Sequence, residues 1–217
     1  HPAQSFRQGV QLVWLCHMTF MMESKVAMAF GRMDQYLYPL YAQDRTAGRL
    51  TREEAVDYLQ AMMAKLHETY AASGNTEICN LTIGGQKADG SSAVNDLSYD
   101  ILEAVRRVRI PDVNLSARMD ARTSKTFYRA CLDVIRTGIG FPSLFNDDVL
   151  IPYLNRELSV PLADARNYCL VGCIETYLPG MQPPWADCRL NTMKALEYTI
   201  NDGRDMLTGS PDGVQKP

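Results

Sequence analysis

Four short β-rich apolar runs, at residues 77–83, 113–118, 141–145 and 169–171, are separated by stretches whose apolar residues recur every three or four positions. Runs this short suit buried strands, whereas the intervening periodicity suits helices. Strands that alternate with helices point to an α/β architecture, because parallel neighbours need a crossover long enough to hold a helix. Residues 5–24 predict a first helix, with Val10, Val13, Trp14, His17, Met18 and Met21 on one face. That methionine-rich face reads as core, since methionine fills irregular gaps. Thr51-Arg52-Glu53-Glu54 has the form of a capping box and opens a helix through about residue 70. Further helices are expected over 95–108, 123–137, 147–155 and 189–201, with a helical turn at 161–166.

The 217 residues, 46 % of them hydrophobic, can bury a substantial core as a single domain or part of one. A net charge of −3 without a long basic run gives no nucleic-acid or anionic-membrane footprint. The longest apolar stretches are too interrupted to cross a bilayer, and no charged start leads into a signal-type apolar segment. Six cysteines without a secretory signal predict reduced thiols in a cytoplasmic protein. No pair of them has zinc-ligand spacing with a local histidine, so no metal site is expected.

The candidate active site is the stretch 168–180, where an apolar run ends at Gly172-Cys173 and a carboxylate, Glu175, follows two residues later. In an extended segment residues i and i+2 project to one side, so Cys173 and Glu175 are expected to face one cavity from a strand-to-loop exit. An inert buried thiol is the competing reading of Cys173, because free cysteine is among the most buried residue types. The glycines of 84–90 lack both the Gly-Lys-Ser/Thr ending and the dinucleotide spacing, which leaves a structural loop. Arg32 and Asp34 read most simply as an ion pair or a backbone anchor.

The segment Gly172-Cys173-Ile174-Glu175 resembles the thiyl-radical cysteine loop of the glycyl radical enzymes, of which pyruvate formate-lyase is a member. It is preceded by Gly140-Phe141-Pro142-Ser143-Leu144-Phe145-Asn146-Asp147-Asp148 and Asp164-Ala165-Arg166-Asn167-Tyr168 and followed by Trp185-Ala186-Asp187, all of which extend the resemblance. Upstream, Gly31-Arg32-Met33-Asp34-Gln35-Tyr36-Leu37-Tyr38-Pro39 and the Gly84-Gly85 loop leading into Asn95-Asp96-Leu97-Ser98-Tyr99 continue it in order. The resemblance implies about half of a ten-stranded α/β barrel with surrounding helices and the cysteine loop inside it. Residues 1–217 are then the central portion of a catalytic domain. The C-terminal glycine radical domain is absent, since no Arg-Val-Ser-Gly-Tyr-like segment occurs.

The implied reaction is a thiyl-radical elimination on a small hydroxylated substrate by a C–O, C–N or C–S lyase, dehydratase-like and anaerobic. Cys173 abstracts hydrogen and Glu175 removes the proton of the substrate hydroxyl, a role suited by enclosure. Asp187 matches the position at which polyol dehydratases hold a substrate hydroxyl, and a helix cap is its alternative. No bound cofactor is expected; the glycyl radical lies on a residue outside this chain and is installed by an S-adenosylmethionine-dependent radical activating enzyme. A homodimer is implied. Alternatives are an acyltransferase of the pyruvate formate-lyase type, against which Gly172 stands where a second cysteine belongs, and a glycyl radical decarboxylase. A Cys–His hydrolase using Cys173 with His17 or His67 is a further alternative, although Ile-Glu-Thr-Tyr-Leu-Pro does not open a helix well.

Overall fold

The computed structural model describes residues 2–22, 28–73, 79–182 and 190–211. Residues 1–182 and 183–217 form two compact units.

In the first unit, three strands form a parallel sheet in the order β1 (Cys79–Gly84), β2 (Val113–Met119), β3 (Ser143–Asn146). Cys79 stands opposite Val113 and Gly84 opposite Arg118; Ser116 stands opposite Ser143 and Met119 opposite Asn146. Helix α5 (Asp96–Val108) connects β1 to β2, and α6 (Lys125–Val134) lies between β2 and β3, the crossover arrangement that the alternation predicts. Before them come α1 (Phe6–Met22), α2 (Met33–Tyr36), α3 (Tyr38–Thr46) and α4 (Arg52–Ser73). The free edge of β1 is covered by residues 30 and 31: Phe30 N donates to Asn80 O and Thr82 N to Gly31 O.

Local chemistry explains where these helices begin. Thr51 and Glu54 form the expected capping box, with Glu54 N donating to Thr51 Oγ1 and Thr51 N to Glu54 Oε2. Asn95 and Ser98 form a second one at the start of α5. The α-helical part of the predicted 123–137 helix stops at Val134. A π-helical turn, Ile135–Ile139, replaces its end, and Gly138 inside that turn has a φ of 85°.

Both faces of β1 and β2 are buried, and the two faces differ in kind. Cys79, Leu81, Ile83, Val113, Leu115, Ala117 and Met119 join Leu59, Met63, Leu97 and Ile101 in the main core. The alternate positions Asn80, Thr82, Asn114, Ser116 and Arg118 are polar and just as buried. This period-two division means that the second face must satisfy its hydrogen bonds against something.

That something is a third layer. Helices α7 (Asp147–Arg156) and α8 (Leu162–Ala165) precede a two-stranded antiparallel hairpin, β4 (Cys169–Val171) and β5 (Glu175–Tyr177). Leu170 and Leu178 pack with Ile151, Leu154, Ala165 and Tyr168 in a second core cluster. The run 169–171 is therefore a buried strand as expected, but it belongs to a separate hairpin instead of extending the parallel set. Its partner, β5, falls in a stretch that reads as loop because three residues beginning with glutamate carry no apolar signal.

In the second unit, α9 (Thr192–Ile200) is capped by Asn191, whose Oδ1 accepts from Lys194 N at 2.9 Å. Lys194 pairs with Glu197 and Asp205. Of the six cysteines, Cys16, Cys79, Cys131, Cys169 and Cys173 are not joined in disulfides among the described residues, and Cys188 lies outside them. No helix among the described residues is long and apolar enough to cross a membrane.

His17 is fully buried on α1, its ring 5.2 Å from that of Phe30 and 5.8 Å from that of Trp14. Burial pushes its pKa down from 6.5 to about 4. Between those values the unfolded chain binds a proton that the folded chain refuses, so stability falls as pH drops through this window, by at most about 3 kcal/mol. Urea unfolding at pH 7 and pH 4.5 checks this: His17→Phe is expected to flatten that part of the pH dependence relative to wild type.

Candidate active site

The candidate site is the turn of the β4–β5 hairpin, and the sheet's polar face fixes where that turn stands. Leu170 N donates to Thr82 Oγ1 at 3.0 Å. Asn114 Nδ2 donates to the carbonyl oxygens of Gly172, at 3.3 Å, and Cys173, at 3.0 Å. Side chains of β1 and β2 therefore grip the backbone of the cysteine hairpin at three points along its length.

The base of the hairpin is held by arginines. Arg118, fully buried, makes a two-pronged pair with Asp147 at 2.9 Å through Nε and through Nη2. It also donates to Tyr168 O at 2.7 Å and Arg166 O at 2.9 Å, and its guanidinium lies 3.8 Å from the centre of the Tyr168 ring. Tyr168 Oη donates in turn to Asp147 Oδ1 at 2.7 Å. Arg32 reaches the same Arg166 carbonyl at 3.2 Å and donates to Gly84 O and Gln86 O. Burial and the neighbouring Arg118 push the Arg32 pKa down to about 10, which leaves it charged at neutral pH.

Asp34 accepts from Gly84 N and Ser98 Oγ, and burial pushes its pKa up. Arg32 and Asp34 are thus anchors for backbone, as one of the two expectations had it. The glycine loop is structural in a specific sense: a Cβ on Gly85 would lie 2.7 Å from Arg118 Nε, and one on Gly90 2.9 Å from Arg166 Nη2. Those glycines leave room for arginines.

Cys173 occupies the three-residue turn Gly172-Cys173-Ile174, closed by the pairing of Val171 with Glu175. Its relation to Glu175 therefore comes from a turn and not from the pleat of an extended segment. Glu175 Oε2 accepts from Ile174 N at 3.0 Å and lies 2.6 Å from where a Gly172 Cβ would be. The carboxylate folds back over the turn and touches the residues on both sides of Cys173. Both Cys173 and Glu175 are exposed, so the expected cavity is not formed around them by the described residues. A cavity of about 510 Å³ opens elsewhere, at the ends of β2 and β3, lined by Asp120, Lys125, Tyr128, Leu144 and neighbours.

Cys169, four residues earlier, is buried and its thiol is pushed up to about 11 by that burial. It is the inert cysteine of the pair. Asp187 lies outside the described residues. Of the two histidines considered as hydrolase bases, His17 is in the core beside Trp14 and Phe30, and His67 pairs with Asp112.

The sequence pattern of the pyruvate formate lyase-like family matches residues 1–216. The chain belongs to that family. It is 40 % identical over 193 residues to a probable dehydratase, YbiW, of Escherichia coli K12, a match covering 82 % of this chain and 24 % of the relative. It is 32 % identical to a (2S)-3-sulfopropanediol dehydratase of Klebsiella oxytoca, over 97 % of this chain and 27 % of that one. A solved structure concerned with 1,2-propanediol dehydration in Roseburia inulinivorans superposes with a TM-score of 0.80 at 33 % identity, over 99 % of this chain and 28 % of the other. The chain thus spans about a quarter of the length of the curated relatives it matches.

Arg118, Asn114 and Thr82 support the hairpin and are missed by inspection of single motifs. Their one sequence signal is the polar residue at every second position of strands whose other positions are apolar, whereas Asp147 opens α7 directly after β3. Arg118→Met leaves the Asp147 carboxylate buried without its partner and is expected to lower unfolding stability by about 3–5 kcal/mol. Equilibrium unfolding in urea checks this, with Arg136→Met, an exposed arginine, as the neutral comparison.

Proposed function

We propose that this chain is the cysteine-loop portion of a glycyl radical eliminase, acting on a small hydroxylated substrate with a leaving group on the carbon next to the hydroxyl. The observation that carries the reading is the shared turn: one thiol, Cys173, with one carboxylate, Glu175, folded against the residues flanking it. Family membership and the dehydratase relatives, whose names include sulfopropanediol and propanediol, support the same class.

The Cys173 thiyl radical takes a hydrogen atom from the hydroxyl-bearing carbon, forming S–H and a carbon radical. Glu175 removes the hydroxyl proton, which raises electron density on that carbon and expels the neighbouring group with its bonding electrons. Cys173 S–H then returns a hydrogen atom to the resulting carbonyl-substituted radical, and Glu175 gives its proton to the departing group. The sum is the loss of HX and the formation of an aldehyde or ketone. Holding thiol, base and substrate carbon together converts these encounters into steps within one complex.

In this reading residues 1–217 are the central part of a ten-stranded barrel domain, with the cysteine hairpin inside the closed barrel and Asp187 against a substrate hydroxyl or the leaving group. Closure supplies the exclusion of water and oxygen that a carbon radical needs. The radical is kept on a glycine outside these residues, in a C-terminal glycine radical domain, and is installed by an S-adenosylmethionine-dependent activating enzyme. The working protein is a cytoplasmic, anaerobic homodimer. Gly172, standing where the acyltransferases of the family have a second cysteine, weighs against a thioester-forming reaction.

Electron paramagnetic resonance and a substrate screen on the full-length, anaerobically activated protein test this. A glycine-centred doublet is expected in wild type, Cys173→Ser and Glu175→Gln alike. Turnover is expected to be abolished in Cys173→Ser and to fall by about 10²–10⁴-fold in Glu175→Gln. Turnover that survives the loss of Cys173 contradicts the reading.

A further inference from the structure

We propose that Gly172 is a positioning residue for Glu175: its missing side chain is the seat of the carboxylate, so position 172 decides whether the loop can carry a base at all. This deepens the functional reading above and rests on it. Gly172 has a φ of +57°, which accounts for glycine on backbone grounds alone. The surroundings add a separate reason. The three atoms nearest to a Cβ built there all belong to the Glu175 carboxyl group: Oε2 at 2.6 Å, Cδ at 3.3 Å and Oε1 at 3.7 Å.

At 2.6 Å something must move, and what meets the added carbon is the end of a flexible side chain. The added carbon therefore displaces the carboxylate, which loses its hydrogen bond from Ile174 N, in addition to the backbone strain that any side chain meets at this φ. Gly85 and Gly90 leave room in the same way for the ends of Arg118 and Arg166, whereas at Gly172 the group that meets the Cβ position is a carboxylate. Gly48, outside the site, has a φ of +67° with nothing within 4 Å of its Cβ position. Any side chain at 172 competes with the base for one space. A thiol there adds a sulfur beyond the Cβ, so a second cysteine at 172 and a carboxylate seated from 175 are alternatives on this backbone.

The test uses the full-length, anaerobically activated protein. Gly172→Ala, and Gly172→Asn as the variant whose side chain best tolerates a left-handed backbone, are compared with Gly48→Ala, Glu175→Gln and the double variant Gly172→Ala/Glu175→Gln. Three quantities are read: the glycine-centred doublet, exchange of hydrogen at the substrate carbon during incubation in heavy water, and product formation. Both Gly172 variants are expected to keep the doublet and the exchange while kcat falls by about 10²-fold or more with little change in KM. The double variant is expected within about threefold of Glu175→Gln alone, since both changes remove one function. Gly48→Ala, which meets a positive φ without a neighbouring side chain, is expected near wild type in turnover.

A crystal structure of Gly172→Ala with Glu175 still on Ile174 N overturns the proposal whatever the activity. Losses in the double variant that multiply overturn it as well, since Gly172 then acts through the backbone. Failure of wild-type protein to eliminate any substrate strikes instead at the functional reading, and the crystal structure still decides where the carboxylate sits.

Discussion

Arg118 is the residue on which the arrangement depends. A guanidinium with no exposed surface must find a partner for its charge and acceptors for its N–H groups, or the strand that carries it cannot be buried. Asp147 meets the charge through two N–H groups, and the carbonyls of Tyr168 and Arg166 accept two more. The solution joins β2, the start of α7 and the entry to β4, so that satisfying one buried cation also fixes where the cysteine hairpin leaves the α7–α8 layer. Gly85 leaves space for the guanidinium. Thr82 and Asn114 then hold the hairpin further along.

This division of labour follows from the two faces of the sheet. Its apolar face packs on α-helices and accounts for most of the core, in the ordinary way of parallel sheets. Its polar face would be a liability in a protein with nothing to place there. Here it binds the backbone of a turn and leaves that turn's side chains free. Cys173 is accordingly held through its carbonyl, with its sulfur uncommitted among the described hydrogen bonds. A rigidly held backbone with an unengaged thiol suits a group that has to reach one bond of a substrate.

Much of this was legible in residue order. The strand at 113 and the helix after Asn95 announce themselves through β-branched and apolar spacing and through capping side chains, which are local signals. The Cys173–Glu175 pair was legible as a motif. The antiparallel pairing of β4 with β5 was not, because Glu175-Thr176-Tyr177 is three residues long and has no apolar alternation. Nor was the Arg118–Asp147 pair, whose partners lie 29 residues apart and meet only through the β2–α6–β3 crossover. Cys173 and Glu175 come together for a reason that extended-chain spacing does not contain: a turn, with a glycine under the carboxylate, brings them together. Charged residues inside otherwise apolar strands were the available clue to both the clamp and the hairpin.

The most direct measurement is a crystal structure of the full-length protein with a small 1,2-diol bound. The account predicts the hydroxyl-bearing carbon against the Cys173 sulfur and its hydroxyl within hydrogen-bonding distance of the Glu175 carboxylate. It also predicts that Asn114 still holds the Cys173 carbonyl and Arg118 still spans Asp147 and Tyr168. A diol bound away from the hairpin turn, or a Glu175 turned from the ligand while Cys173 faces it, would contradict the account.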